Sequence, residues 1–144
     1  MQTFLAYDDY QMSAKVLDKR RLFKQVVEAK QILASLGHDI RKNDKTRYKP
    51  THKNHPAIKM WRNYQNSLKQ YHNIFLEECF SRGIKTPMSL LPIMGSIIAP
   101  RWLGDSNFHK SHRANLLRKD KEFYGVYGWT EPNTLEYVWP EGTV

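Results

Sequence analysis

Cysteine is almost missing from this chain: Cys79 is the only one, which excludes an internal disulfide framework and fits a reducing compartment. Long apolar runs are missing too, none approaching the roughly 18 residues a membrane span needs. The opening MQTFLAYDDY lacks the basic-then-apolar layout of a secretory signal, so the cytoplasm is the expected compartment. There are no internal repeats, low-complexity tracts, glycine-rich phosphate loops or zinc-type ligand clusters. Acid is scarce: 14 Asp and Glu stand against 23 Lys and Arg, a net charge of +9. Such a balance points to a polyanionic partner, DNA or RNA ahead of an acidic membrane surface. Aromatics recur beside the cations, at Lys59 to Tyr64, Arg101-Trp102 and Lys119 to Tyr127, as expected of a surface that meets phosphates and bases.

What is present suits one domain over residues 1–144, with 40% hydrophobic and 12% aromatic residues. Residues Met1 to Tyr10 read as an extended arm. The stretch from Ser13 to Gly37 reads as the first helix, with an apolar seam at Leu22, Val26, Ala29, Leu33 and Leu36 and Gly37 as its left-handed cap. At 100° per residue, Arg21, Lys24, Gln25 and Glu28 share one flank of that seam. This placement has two readings: surface pairing of Glu28 with Arg21 and Lys24, or a functional acid set among cations.

Residues 38–55 are polar and basic, either a solvated linker or a phosphate-contacting loop. Pro56 can open a second helix, whose seam runs through Ala57, Trp61, Tyr64, Leu68, Tyr71, Phe75 and Cys79 to a stop at Gly83; these aromatics read as core. Residues 84–104 form an apolar connector, with room for a short helix at Met88 to Ile93. A third helix is expected from Asp105 or Ser106 to Asp120. Its His109 and His112, at i and i+3, lack a third ligand nearby, so phosphate contacts are favoured over a metal. After Lys121 an aromatic tail is expected to fold back over the helices. The fold class is mainly α, a bundle of three principal helices with long loops.

Three segments resemble the pyrimidine-dimer DNA glycosylase family, the phage-type "endonuclease V". The family's first helix carries His-Leu, five residues, then an acid; here Arg21-Leu22 precedes Glu28. Its second helix opens Gly-His and closes Glu-Cys-Leu-Lys-Arg-Gly; here stand Asn54-His55 and Glu78-Cys79-Phe80-Ser81-Arg82-Gly83. The chain is more similar still to a group of bacterial and viral members beginning Met-Gln-Thr-Phe-Leu. That group shares the blocks at 54–62, 108–113, 116–120 and 137–140.

The resemblance implies a base-excising enzyme with AP-lyase activity. The terminal amine, here that of Met1, attacks the sugar C1′, and Glu28 stabilises the oxocarbenium-like sugar and handles protons. An α-amine titrates at roughly 7.7–8.0, so a usable share is nucleophilic near neutral pH. Neither a metal nor a cofactor is required. The implied partner is double-stranded DNA, nucleoid or viral, bound by a monomer. Candidate DNA contacts are Arg20, Arg21, Lys24, Gln25, His55, Lys59, Arg62, His109, His112, Arg113, Arg118, Lys119 and Lys121. The chain departs from the family pattern in having Gln2 where an exposed threonine stands, Arg21 in place of histidine, and Gln25 at a second acidic position. A non-catalytic DNA-binding module on the same scaffold, or an RNA-binding protein, are the alternatives.

Overall fold

The computed structural model describes residues 1–51 and 53–143. It is helical: α1 (Tyr10–Lys15), α2 (Lys19–Ser35), α3 (Pro56–Lys59), α4 (Gln65–Ser81), α5 (Ser106–Lys119) and α6 (Lys121–Tyr124), the last running into a 3-10 turn at Gly125–Tyr127. Helices α2, α4 and α5 are the principal three, and no strand occurs among the described residues. None of these helices is long and apolar enough to cross a membrane.

The seam of α2 packs on α4. Leu22, Val26, Ala29 and Leu33 meet Leu68, Tyr71, Phe75 and Cys79 in one buried cluster. Tyr71 and Phe75 stack with centroids 3.9 Å apart. Gly37 ends α2 with φ +100°, and the His38 amide returns to the Leu33 carbonyl at 3.0 Å. Gly83 ends α4 in the same way, with the Ile84 amide on the Cys79 carbonyl at 3.0 Å. These are six-to-one caps that need a positive φ, which glycine supplies without strain.

Two expected helices are each broken. The stretch from Ser13 to Gly37 is not continuous: α1 ends at Lys15, and α2 restarts at a cap on Asp18, whose carboxylate accepts the Arg21 amide at 3.3 Å. The break is held from outside. The Arg82 guanidinium donates to the carbonyls of Leu17 (2.7 Å), Lys15 (2.9 Å) and Ala14 (3.2 Å), while its Nε pairs with Glu78 at 2.9 Å. A cation on the last carbonyls of α1 satisfies acceptors that the helix itself leaves open.

The second helix is likewise interrupted, at 60–64, between α3 and α4. A continuous helix would give the Met60 carbonyl to the Tyr64 amide. Instead the Trp102 indole takes that carbonyl at 3.2 Å, and the Tyr64 amide turns to Trp61 at 2.8 Å. The connector has no helix at Met88 to Ile93. Asn73 binds both backbone groups of Leu91, at 2.8 and 2.9 Å, and holds the segment extended. Helix α5 begins as expected, on an Asp105 cap.

The aromatic tail does fold back. Arg118 donates to the Asn133 and Leu135 carbonyls, and Tyr124 stacks on Trp129 at 5.9 Å. Tyr124 also donates to the Asp18 carboxylate. Burial works against ionisation of Asp18, but the bonds from Tyr124 and Arg21 outweigh it and pull the pKa below 3.8. A folded-state pKa below the unfolded one stabilises above the unfolded value and is lost as pH falls through the folded value. Tyr124→Phe is therefore expected to cost about 1–3 kcal/mol at neutral pH, shrinking below about pH 4, as measured by urea unfolding at several pH values.

Candidate active site

An extended segment buried inside a helical protein has no ladder to satisfy its backbone, so side chains must do so. Residues Thr3 to Ala6 are such a segment, all four buried. The Phe4 amide donates to Gln25 Oε1 at 2.7 Å, and the Leu5 amide to His112 Nδ1 at 2.9 Å. The Tyr71 hydroxyl shares its proton between the Phe4 carbonyl (3.0 Å) and Gln25 Oε1 (2.8 Å). His109 Nδ1 donates to the Leu5 carbonyl at 2.8 Å, and Arg113 to the Ala6 carbonyl at 2.6 Å. The Trp61 indole holds Thr3 Oγ1 at 3.0 Å. Helices α2, α4 and α5 thus grip the arm residue by residue.

The histidine roles fix their tautomers. His112 accepts at Nδ1 and so is neutral, in keeping with burial and the nearby His109, which push its pKa down to about 3. His109 donates at Nδ1 and accepts the Gly104 amide at Nε2, 2.9 Å away; burial lowers its pKa too. Burial, Tyr10 and the negative charge of Glu28 keep the Tyr71 phenol protonated, as its donor role requires.

Glu28 stands one turn beyond Gln25 on α2, half-buried, and makes no hydrogen bond or ion pair among the described residues. Its charge is felt by Tyr71, which holds the arm. Met1 and Gln2 are half-buried. The Gln2 side chain lies against the Tyr137 hydroxyl, whose ionisation burial opposes and whose neighbours include Arg118 and Arg21. Tyr137 leads to Trp139 (centroids 6.0 Å apart), and Trp139 meets the His55 ring edge-on at 5.9 Å. Arg21, Gln25 and Glu28 thus lie along the helix that holds the arm, and the returning tail links Gln2 through Tyr137 and Trp139 to His55.

Other expected DNA contacts lie elsewhere. Gln25, His109 and His112 are buried, and their polar atoms are spent on the arm; a phosphate contact needs a group that reaches solvent. Arg113 pairs with Glu131 at 2.5 Å and lies over the Tyr7 ring, so it too is structural. Arg118 faces outward but is committed to the tail carbonyls. His55 caps α3 by accepting the Ala57 amide at 3.0 Å. Arg20, Lys24, Arg62, Lys119 and Lys121 are exposed. Half-buried Lys59 joins Arg62, Arg101, Trp102 and Trp139 around a cavity of about 820 Å³. Tyr71, Thr3 and Tyr137 belong to the site although the sequence marks them only as core, arm and tail.

A cationic helical bundle whose buried N-terminal arm is bonded to a helix one turn from an unpaired acid has the makings of a small DNA-processing protein. The chain belongs to the pyrimidine dimer DNA glycosylase family, whose model matches residues 1–91. Those residues take in the arm, α1 to α4, Gln25, Glu28 and Tyr71. Membership makes DNA the partner and base excision the class of reaction. No curated protein and no solved structure matches the chain.

Proposed function

We propose that this protein excises a pyrimidine-dimer-type or modified base from duplex DNA and then cuts the strand as an AP lyase, working as a monomer without metal or cofactor. The Met1 amine, in its neutral form, attacks C1′ of the damaged nucleotide. The N-glycosidic bond breaks and the base leaves with the bonding pair. Loss of a proton from nitrogen and opening of the sugar ring give the C1′ imine. Removal of a C2′ proton then expels the 3′ phosphate. Glu28 stabilises the positive sugar in the first step and accepts or returns protons afterwards.

The observation that carries this reading is the 2.7 Å bond from the Phe4 amide to Gln25, one helical turn from Glu28. Met1 is three residues before Phe4, so its amine lies within about 11 Å of that anchor. One turn of α2 adds about 5 Å. An amine and an acid on that scale can flank a single nucleotide. Exposed Arg20 and Lys24 on the same helix, with Arg62, Lys119 and Lys121, supply phosphate contacts. Binding should then weaken with salt at a log–log slope of about 0.9 per phosphate neutralised. The bulky Gln2 side chain that follows Met1 favours retention of Met1 as the amine-bearing residue.

Borohydride trapping tests the proposal. With duplex DNA carrying a cyclobutane dimer, reduction is expected to fuse protein and DNA, and peptide mass mapping to put the adduct on the Met1 peptide. Excision without a trapped adduct would limit the chain to a simple glycosylase. An adduct on a lysine peptide would move the nucleophile, and binding with neither product would leave a non-catalytic DNA-binding module.

A further inference from the structure

The arm and its acid leave one buried cation unused. Lys30 is two residues beyond Glu28 on α2, about 200° round the helix from it, and is only 6% exposed. It lines an open cavity of about 430 Å³ bordered by residues 39–44 and 87–91. Among the described residues its ammonium has no hydrogen bond and no ion pair. The stem of Lys30 is buried, but its ammonium is not shut off from solvent, so it opens where the residue lines this cavity.

No neighbouring element supplies the missing charge. From α4, His72 is fully buried, donates through Nδ1 to Asn73 Oδ1 at 2.9 Å, and has an unpartnered Nε2. Burial above all, helped by the Lys30 charge, lowers its pKa to about 4, so it is neutral. On the 39–44 segment, Asp39 is already paired with Arg47. Asp44 is the remaining acid at the cavity, which Arg41 and Lys42 also line; Arg41 donates to the Asp44 carbonyl at 3.3 Å, and the Lys42 ammonium lies over the Tyr48 ring. The 87–91 segment adds the Ser89 hydroxyl and no charge. With Asp39 neutralised, the cations outnumber the acids by two. Burial lowers the Lys30 pKa, and an anion bound beside it would raise it again.

We propose that this cavity is an anion site that takes the dianionic phosphate of a phosphomonoester or of inorganic phosphate, with Lys30 as its buried anchor and Arg41 and Lys42 at its rim. A dianion matches two uncompensated positive charges better than a carboxylate does. The phosphate has two possible sources, free in solution or at the end of a DNA strand. The site stands apart from the excision reading, on the other side of α2.

Calorimetric titration with inorganic phosphate, at constant ionic strength in chloride, tests it. One saturable site is expected, with binding at least about tenfold weaker in Lys30→Met. Lys30→Met keeps the buried apolar stem at similar length and removes an ammonium that has no partner, so it should unfold at the same or higher denaturant concentration. Lys42→Gln at the exposed rim should weaken phosphate by a smaller factor and cannot compromise the core. Absence of phosphate binding beyond chloride, or equal affinity in Lys30→Met, would overturn the proposal. Competition by short duplexes with 5′-phosphate or 5′-hydroxyl ends identifies the source. Stronger competition by the phosphorylated duplex assigns the site to DNA ends, competition by neither assigns it to free phosphate, and equal competition by both, which only the internal diesters can supply, would overturn a monoester site.

Discussion

Glu28→Gln is expected to lower single-turnover excision by about a hundred- to ten-thousand-fold while duplex affinity stays within a few-fold. The substitution keeps the shape of the side chain and removes only its charge and basicity. Because Glu28 has no internal partner, no donor is orphaned by its loss, and stability should hardly move. That separation makes the variant informative. A structural acid paired with Arg21 or Lys24 would cost stability when neutralised and leave the chemistry alone. The geometry argues against such pairing, since Arg21 is bound to Asp18 at 3.1 Å and Lys24 faces solvent. Quantifying abasic sites and strand breaks on a dimer-containing duplex, with binding measured on the same DNA, checks both halves of the expectation. Undiminished excision would remove Glu28 from the chemistry.

The three principal helices and the glycine stops at Gly37 and Gly83 were legible because they depend on local periodicity and on a positive φ. The breaks at 16–18 and 60–64 were not. Each is imposed by a side chain far along the chain, Arg82 on the end of α1 and Trp102 on the Met60 carbonyl. The same division runs through the site. The flank that carries Arg21, Gln25 and Glu28 follows from 100° per residue. What Gln25 does there depends on an arm 21 residues earlier in the chain, which no helical pattern encodes. At i and i+3 with no third ligand nearby, His109 and His112 point by sequence to phosphate contacts rather than to a metal. The identical spacing serves to aim two neutral imidazoles at one buried backbone. Arg113 shows the limit of charge counting, since a net charge of +9 says nothing about which guanidinium faces DNA and which holds Glu131.

Gln25→Leu should separate the positioning of the terminus from the integrity of the fold. Gln25 Oε1 accepts two buried donors, the Phe4 amide and the Tyr71 hydroxyl. With leucine, Tyr71 still has the Phe4 carbonyl, but the Phe4 amide has no acceptor and the arm loses its tie to α2. The cost is expected at about 2–4 kcal/mol by urea unfolding, the lost bond and the orphaned amide together. Excision should fall by at least about a hundredfold under conditions where the variant is fully folded, because an ångström-scale misplacement of a nucleophile costs that much. Tyr71→Phe is the control. It removes the hydroxyl yet keeps the Phe4–Gln25 bond, so it should lose about 1 kcal/mol and retain most of the excision rate. If both variants excise equally well at equal folded fraction, the arm's registration against α2 does not set the reaction. If only Gln25→Leu fails, the buried amide bond beside Glu28 is what delivers Met1 to the sugar.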